Sequence, residues 1–464
     1  VDWRGLKSHL TDLLKKLPVD YADVRIEESE ISSLQFRGPE IESVMETISF
    51  GGGVRALSNG GWGFASFNSI EDLQSRIDHA CEMARVAGER RNEKVELAPV
   101  EPVQDTVEPP EGWNPAGVSL SDKINLFADY NRIILNYGGD IVSSSVGYGD
   151  RRTRLLFANS EGTCVDQTKI DLQGGIAAIA TRGSDTQTGH VSFGSSADYS
   201  VTQGLEDEVT DACETACALL DAQMIQGGDY MVIASPRMAG IFAHEAFGHL
   251  SEADDLMEKE RMREMMKLGR RFGGEILNIY DTGLTPGARG YLPYDDEGVP
   301  ASRADLIREG VLVGRLHSRR SAARMGEEPT GNARALSYRH PPICRMRNTC
   351  IGAGEASFED MLDGVKKGLY VVTPQGGQTD DEMFTFMAGK SYLIEDGEVG
   401  PMVKDVTLTG NVFQTLQDID MVGHDVLEWE SAGGCGKGEQ SPLPTSEWAP
   451  HIRIQNVVVG GESE

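Results

Sequence analysis

A helix with apolar periodicity, several strand-like runs and a closing helix follow one another twice before residue 225. That repeated order limits what the first half of the chain can fold into. In the first pass, Trp3, Leu6, Leu10, Leu13, Leu14 and Leu17 fall at helical spacing. "ADVRIEESEI" then alternates Ala22, Val24 and Ile26 against charged residues, as a half-buried strand does. "NGG" at 59–61 marks a tight hairpin turn. Ser69 is placed to cap a helix whose apolar stripe is Leu73, Ile77, Ala80, Ala84 and Ala87. Residues 95–117 carry Pro99, Pro102, Pro109, Pro110 and Pro115, the composition of a linker or an extended arm. The second pass has a helix near 121–136, strand-like runs such as "TRLLFANSEG" and "GHVSFGSS", and a helix near 205–222. The two closing helices share a fragment, "ACEMA" and "ACETA". Two readings stay open: an internal duplication, or chance likeness between Ala-rich helices.

The character changes near residue 228. "DYMVIAS" reads as a buried strand, and Ser235 and Pro236 suit the cap and first turn of a following helix. Beyond that helix the chain is rich in glycine and in strand-like pieces. The expected fold is α+β: an N-terminal mixed α/β region with antiparallel sheet over residues 1–224, and a β-rich, barrel-like domain over 225–464 that carries the helix.

Charge and cysteine usage exclude some functions. Lys plus Arg number 43 against 73 Asp plus Glu, a formal net charge of −30. Such a surface repels phosphate backbones and anionic lipid, which argues against nucleic-acid or membrane binding. Charges interrupt every apolar run of the first twenty residues, so they do not read as a signal peptide. Seven scattered cysteines make no disulfide framework, and they suit a reducing cytoplasm. Cys213 and Cys217 stand four apart on a helix, where small core residues are the simpler reading than a metal pair.

The stretch "FAHEAFGHLSEADD" holds His244, Glu245 and His249. The familiar H-E-x-x-H pattern puts two imidazoles on one helix face at i and i+4. Here the spacing is i and i+5, which on an ideal α-helix leaves the rings about 140° apart. A π-bulge would return them to one face, and Gly248 could let the backbone distort there. The spacing therefore predicts a distorted helix if the pair holds a metal, with Glu245 beside a ligand as general base. Two unrelated histidines on opposite faces are the other reading. A third ligand is needed, and Cys435 in "ESAGGCGKGEQ" is the best remote candidate. Its glycine neighbours make the backbone pliable, and Lys437 favours a thiolate. An ordinary flexible loop accounts for the same residues.

These pieces together resemble the TldD/PmbA family. "GGGVRALSNGGWGFAS", "FANSEG", "HEAFGHLSEAD", "YDDEGVPASRADLIREGVLVGRL", "TGNAR", "RMRNT", "YLIEDGEVG" and "CGKGEQ" stand in the family's order and span most of the chain. The resemblance implies a zinc-dependent peptidase of the catalytic, TldD type. His244, His249 and Cys435 would be the metal ligands and Glu245 the general base. It implies peptide or unfolded-polypeptide substrates and a dimer, homomeric or with a PmbA/TldE-like sister. Two alternatives stand beside it: an inactive metal-bearing interaction subunit, and, from the family label "modulator of DNA gyrase", a gyrase regulator. Glu252 and Asp254 match the tail of the signature, as hydrogen-bond partners to the histidines or as a solvated acidic turn. Asp295, Asp296 and Glu297 match an acidic turn with some capacity for an ion. Arg345, Asn348 and Thr349 would organise the cavity. Glu439 departs from the family's C-G-K-x-G-Q spelling without touching the ligand position.

Overall fold

The structure is a computed structural model that describes residues 2–460 apart from 92–94, 381, 429 and 431. The two passes read from the sequence become two matching halves of one sheet. In the first, helix α1 (Trp3–Leu14) precedes strands β1 (Tyr21–Arg37), β2 (Glu40–Ser58) and β3 (Gly61–Phe67), and helix α2 (Leu73–Gly88) closes the unit. The β2–β3 turn is the expected one: Asn59 and Gly60 both have positive φ, the backbone a two-residue hairpin turn requires. After strand β4 (Gln104–Val107), the second half runs α3 (Leu120–Tyr137), β5 (Ile141–Asn159), β6 (Cys164–Arg182), β7 (Asp185–Ser195) and α4 (Glu206–Asp221). The halves join where β1 pairs antiparallel with β5, from Asp23↔Asn159 to Arg37↔Ser145. The sheet order is β3-β2-β1-β5-β6, with β7 and β4 both on β6.

The shared helix fragment has a physical reason. A Cβ on Gly63 would stand 2.0 Å from the Ala80 carbonyl oxygen, and one on Gly189 would stand 1.9 Å from that of Ala212. In both halves the first residue of the fragment thus lies directly on a strand glycine, so small residues are needed on both sides. α1 and α2 bury Leu10, Leu14, Ile77 and Ala80 against Val24, Ile26 and Val54. α3 and α4 bury Phe127, Ile134 and Val209 against Val146, Leu172 and Ile176. The proline-rich stretch is an arm added to the sheet: β4 pairs parallel with β6, from Gln104↔Cys164 to Val107↔Gln167.

The second half of the chain builds a ten-stranded sheet around strand Gly228–Ala234, which lies between Ile452–Gly460 and Lys367–Val371. A second, five-stranded sheet includes Ile279–Thr282, Asn348–Ile351 and Ser446–Trp448. The expected barrel does not close. The large sheet ends at Pro374–Asp380 on one side and at the two-residue strand Gln223–Met224 on the other, and among the described residues these ends do not pair. A two-residue edge offers too few hydrogen bonds to complete a ring. Strand Gly228–Ala234 runs straight into helix α5 (Pro236–Phe242), where the Ser235 hydroxyl accepts the Met238 N–H at 3.2 Å. That helix delivers the histidines. Among the described residues, no helix is long and apolar enough to cross a membrane.

Candidate metal centre

The helix changes its winding where the five-residue spacing demands it. α5 gives way to a π-helical segment over Ala243–Gly248, and the His249 N–H donates to the His244 carbonyl five residues back. The extra residue per turn brings both imidazoles to one side, with ring centroids 5.4 Å apart. Gly248 serves differently from the expectation. Its backbone is right-handed helical. A Cβ there would lie 1.9 Å from the Met346 Sδ, so the glycine makes room for a buried methionine beneath the turn.

Cys435 arrives from a hairpin nearly two hundred residues on, formed by Cys435–Lys437 and Gln440–Leu443. The ligand atoms of His244, His249 and Cys435 all lie within 4.8 Å of one another. Cys435 Sγ is 3.4 Å from His249 Nε2. Glu245 is a quarter exposed, with Oε2 3.8 Å from the same nitrogen. Glu439 stands exposed at the hairpin turn, away from the ligand.

Each histidine has its own carboxylate. His249 Nδ1 is 3.1 Å from Glu252 Oε2. His244 Nδ1 is 3.1 Å from Glu447 Oε1, within ion-pair distance but off the line of a hydrogen bond. In both rings Nε2 is left for a ligand role. Burial pushes the Cys435 thiol up, but the two imidazoles outweigh it and hold it down at about 6. Burial opposes charge on His249, yet Glu252 and Cys435 raise it to about 10. Glu252 is itself fully buried, and Lys437 and His249 overcome that burial to hold it at about 2.

The softer expectations divide. Glu252 meets a histidine. Asp254 does not: it accepts from the Cys344 N–H at 3.0 Å and from Lys437 Nζ at 2.5 Å. Asp295, Asp296 and Glu297 form a buried turn whose oxygens are taken by protein donors. Asp295 accepts three backbone N–H groups, from Glu297, Val299 and Ala333. Asp296 takes Lys169 Nζ at 2.7 Å and lies 3.5 Å from Arg25. Glu297 meets Arg55 at 3.1 Å. The turn therefore rivets the C-terminal half to the first sheet. Asn348 and Thr349 bond to Gly290, Thr282 and Asp281, bracing strands behind the site. Cys213 packs among core residues, as its helix position suggested.

Glu447 escaped sequence reasoning. Nothing in "TSEWAP" marks it. It reaches His244 because Ser446–Trp448 pairs parallel with Asn348–Ile351, with Glu447 opposite Thr349. Two large cavities, of about 520 and 560 Å³, include none of the ligand residues. The first lies between the outer face of the N-terminal sheet and the second half of the chain, with Gly433 and Ser441 of the Cys435 segment in its wall. The chemistry of the His244, His249 and Cys435 cluster, and not cavity size, makes it the candidate site.

Comparison with known proteins agrees over the whole length. Family models match residues 22–85 as PmbA/TldA metallopeptidase domain 1, 113–222 as the central domain and 227–461 as the C-terminal domain. A metalloprotease of Synechocystis sp. is 44% identical over 96% of this chain and 95% of its own. A zinc metalloprotease TldD homologue of Saccharolobus solfataricus is 28% identical over 96% and 98%. Among solved structures, TldE from Thermococcus kodakarensis shares the fold at TM-score 0.76 and 19% identity, covering 98% of this chain and 99% of its own. The chain belongs to the PmbA/TldA metallopeptidase family.

Proposed function

We propose that this chain is a zinc-dependent peptidase of the TldD type, acting on peptides or unfolded polypeptides. The observation that carries the reading is the convergence of His244, His249 and Cys435 beside Glu245. The donor set fits zinc. Two imidazoles and a thiol held below its ordinary range are ligands this ion favours. Tetrahedral zinc with usual bond lengths puts sulfur and nitrogen about 3.5 Å apart, and Cys435 Sγ and His249 Nε2 are 3.4 Å apart. A carboxylate behind each histidine matches the usual way such rings are oriented.

Zinc bound here would polarise the scissile carbonyl and lower the pKa of water toward ~7. Glu245 takes the proton of the attacking water and delivers it to the leaving amine. Glu252 and Glu447 fix the imidazole tautomers and hold Nε2 toward the ligand position. Strand edges near the site suit an extended peptide docked through backbone hydrogen bonds, a mode that tolerates many sequences. A dimer, with a PmbA/TldE-like sister or with a second copy of this chain, is the assembly the family resemblance implies. The free cysteines agree with a cytoplasmic home. Residues 1–224 and 225–464 are proposed as the two units, the first a duplication.

The test compares wild type with Glu245→Gln, both loaded with zinc, on an unstructured polypeptide. The reading expects cleavage by wild type and its loss in the variant with metal retained. Equal rates in the two would overturn the enzyme assignment.

A further inference from the structure

Arg345 is completely buried and touches both arms of the ligand cluster. Its Nη2 donates to the Cys435 carbonyl at 2.5 Å, and its Nη1 to the Gln440 carbonyl at 2.9 Å. One guanidinium therefore grips both strands of the hairpin that delivers the thiolate. Its third nitrogen, Nε, faces Glu252 Oε1 at 4.0 Å. Among the described residues, neither of those two atoms has a hydrogen-bond partner. The other oxygen of Glu252 holds His249. The fork thus stands between the backbone of one ligand and the carboxylate that aims another.

Buried polar atoms are nearly always paired. Two buried, partnerless atoms facing each other mark a contact that a small movement would complete. Cys435 Sγ and His249 Nε2 already stand 3.4 Å apart, the separation a shared zinc needs, so a small shift of the Arg345 fork or the Glu252 carboxylate would complete it without moving the ligands. Resting on the zinc reading above, we propose that Arg345 is a positioning residue that couples the Cys435 hairpin to the His249–Glu252 pair, so that the two arms are held in register as one for the metal.

Arg347 is a matched control. It is equally buried, but its fork is spent on the carbonyls of Gly290, Gly331 and Leu292, none of which belongs to either arm. A lysine keeps the charge and loses the planar fork. Wild type, Arg345→Lys and Arg347→Lys are titrated with Co²⁺, reading the sulfur-to-cobalt charge-transfer absorption and the dissociation constant by chelator competition. Arg345→Lys is expected to weaken Co²⁺ binding roughly ten- to hundredfold and to shift or weaken the absorption. Arg347→Lys is expected to change neither. An Arg345→Lys protein that matches wild type overturns the proposal, as does an equal loss in Arg347→Lys. Wild type that binds no cobalt, or binds it without the sulfur band, overturns the ligand assignment instead. If Arg345→Lys does not fold, hydrogen exchange on wild type decides. Cobalt should protect residues 435–440, 249–252 and 344–346 over one concentration range, and protection of the hairpin alone contradicts the coupling.

Discussion

The cluster at His244, His249 and Cys435 and the turn at Asp295, Asp296 and Glu297 are both built from ionisable side chains, largely or wholly buried. They differ in where their polar atoms go. Every carboxylate of the turn is taken up by backbone N–H groups or by Arg25, Arg55 and Lys169 of the other half of the chain. In the cluster, Glu252 bonds the outer nitrogen of His249 and Glu447 lies 3.1 Å from that of His244, while one ligand atom from each histidine and Cys435 Sγ lie within 4.8 Å of one another. A buried charge whose partners come from the protein holds the fold together. A buried set that turns its ligand atoms to a common point offers them to something outside the chain. Both occur in acidic or histidine-bearing motifs that a sequence presents in the same way.

That difference separates what substitutions should cost. The largest effect belongs to Glu245→Gln, which should lower hydrolysis about 10²- to 10⁴-fold with metal content and unfolding midpoint unchanged. A comparable loss from a substitution in the acidic turn, at equal folded fraction, would erase the distinction. Asp296→Ala should instead cost about 3–5 kcal/mol of stability, because it leaves Arg25 buried without its carboxylate and removes the partner of the part-exposed Lys169. Urea denaturation measures it, and folded Asp296→Ala should still bind metal. The same residue predicts a pH effect. Burial pushes its carboxyl up, but Lys169 and Arg25 pull it well below the ordinary range. Its folded pKa is therefore depressed, so its contribution is full above the unfolded value of about 4 and is lost as pH falls below it. Acid unfolding followed by fluorescence should be less steep in Asp296→Asn than in wild type.

The cluster yields the smaller effects. Glu447→Gln keeps the shape but removes the carboxylate beside His244, and should weaken metal binding roughly ten- to hundredfold in a chelator competition. Gly248→Ala should cost about 1–3 kcal/mol, since its Cβ would meet the Met346 Sδ in a packed core. Unchanged stability in that variant would mean that Met346 has room to move and that the glycine is not a packing requirement.

Much of this was legible from local rules. The five-residue histidine spacing called for a widened turn, and the π-helical segment supplies it. "NGG" called for a two-residue turn, and Ser235–Pro236 for a helix start; both are present. Cys435 could be proposed from its glycines, but only resemblance preferred it over a flexible loop, because its partners are remote in sequence. Glu447 was beyond reach for the same reason: its role depends on a parallel strand pairing with residues about a hundred positions away. The barrel expectation failed because strand content does not say whether the sheet's ends meet. Asp254 shows the limit of motif tails, since its neighbour Glu252 meets a histidine while it turns to Lys437 and Cys344.

The most direct test of the cluster is metal analysis of purified wild type beside His244→Ala and Cys435→Ala, with Asp296→Asn as the folded control. Stoichiometric zinc in wild type and Asp296→Asn, lost from both ligand variants, is the predicted result. Full metal retained by Cys435→Ala would contradict the three-ligand centre.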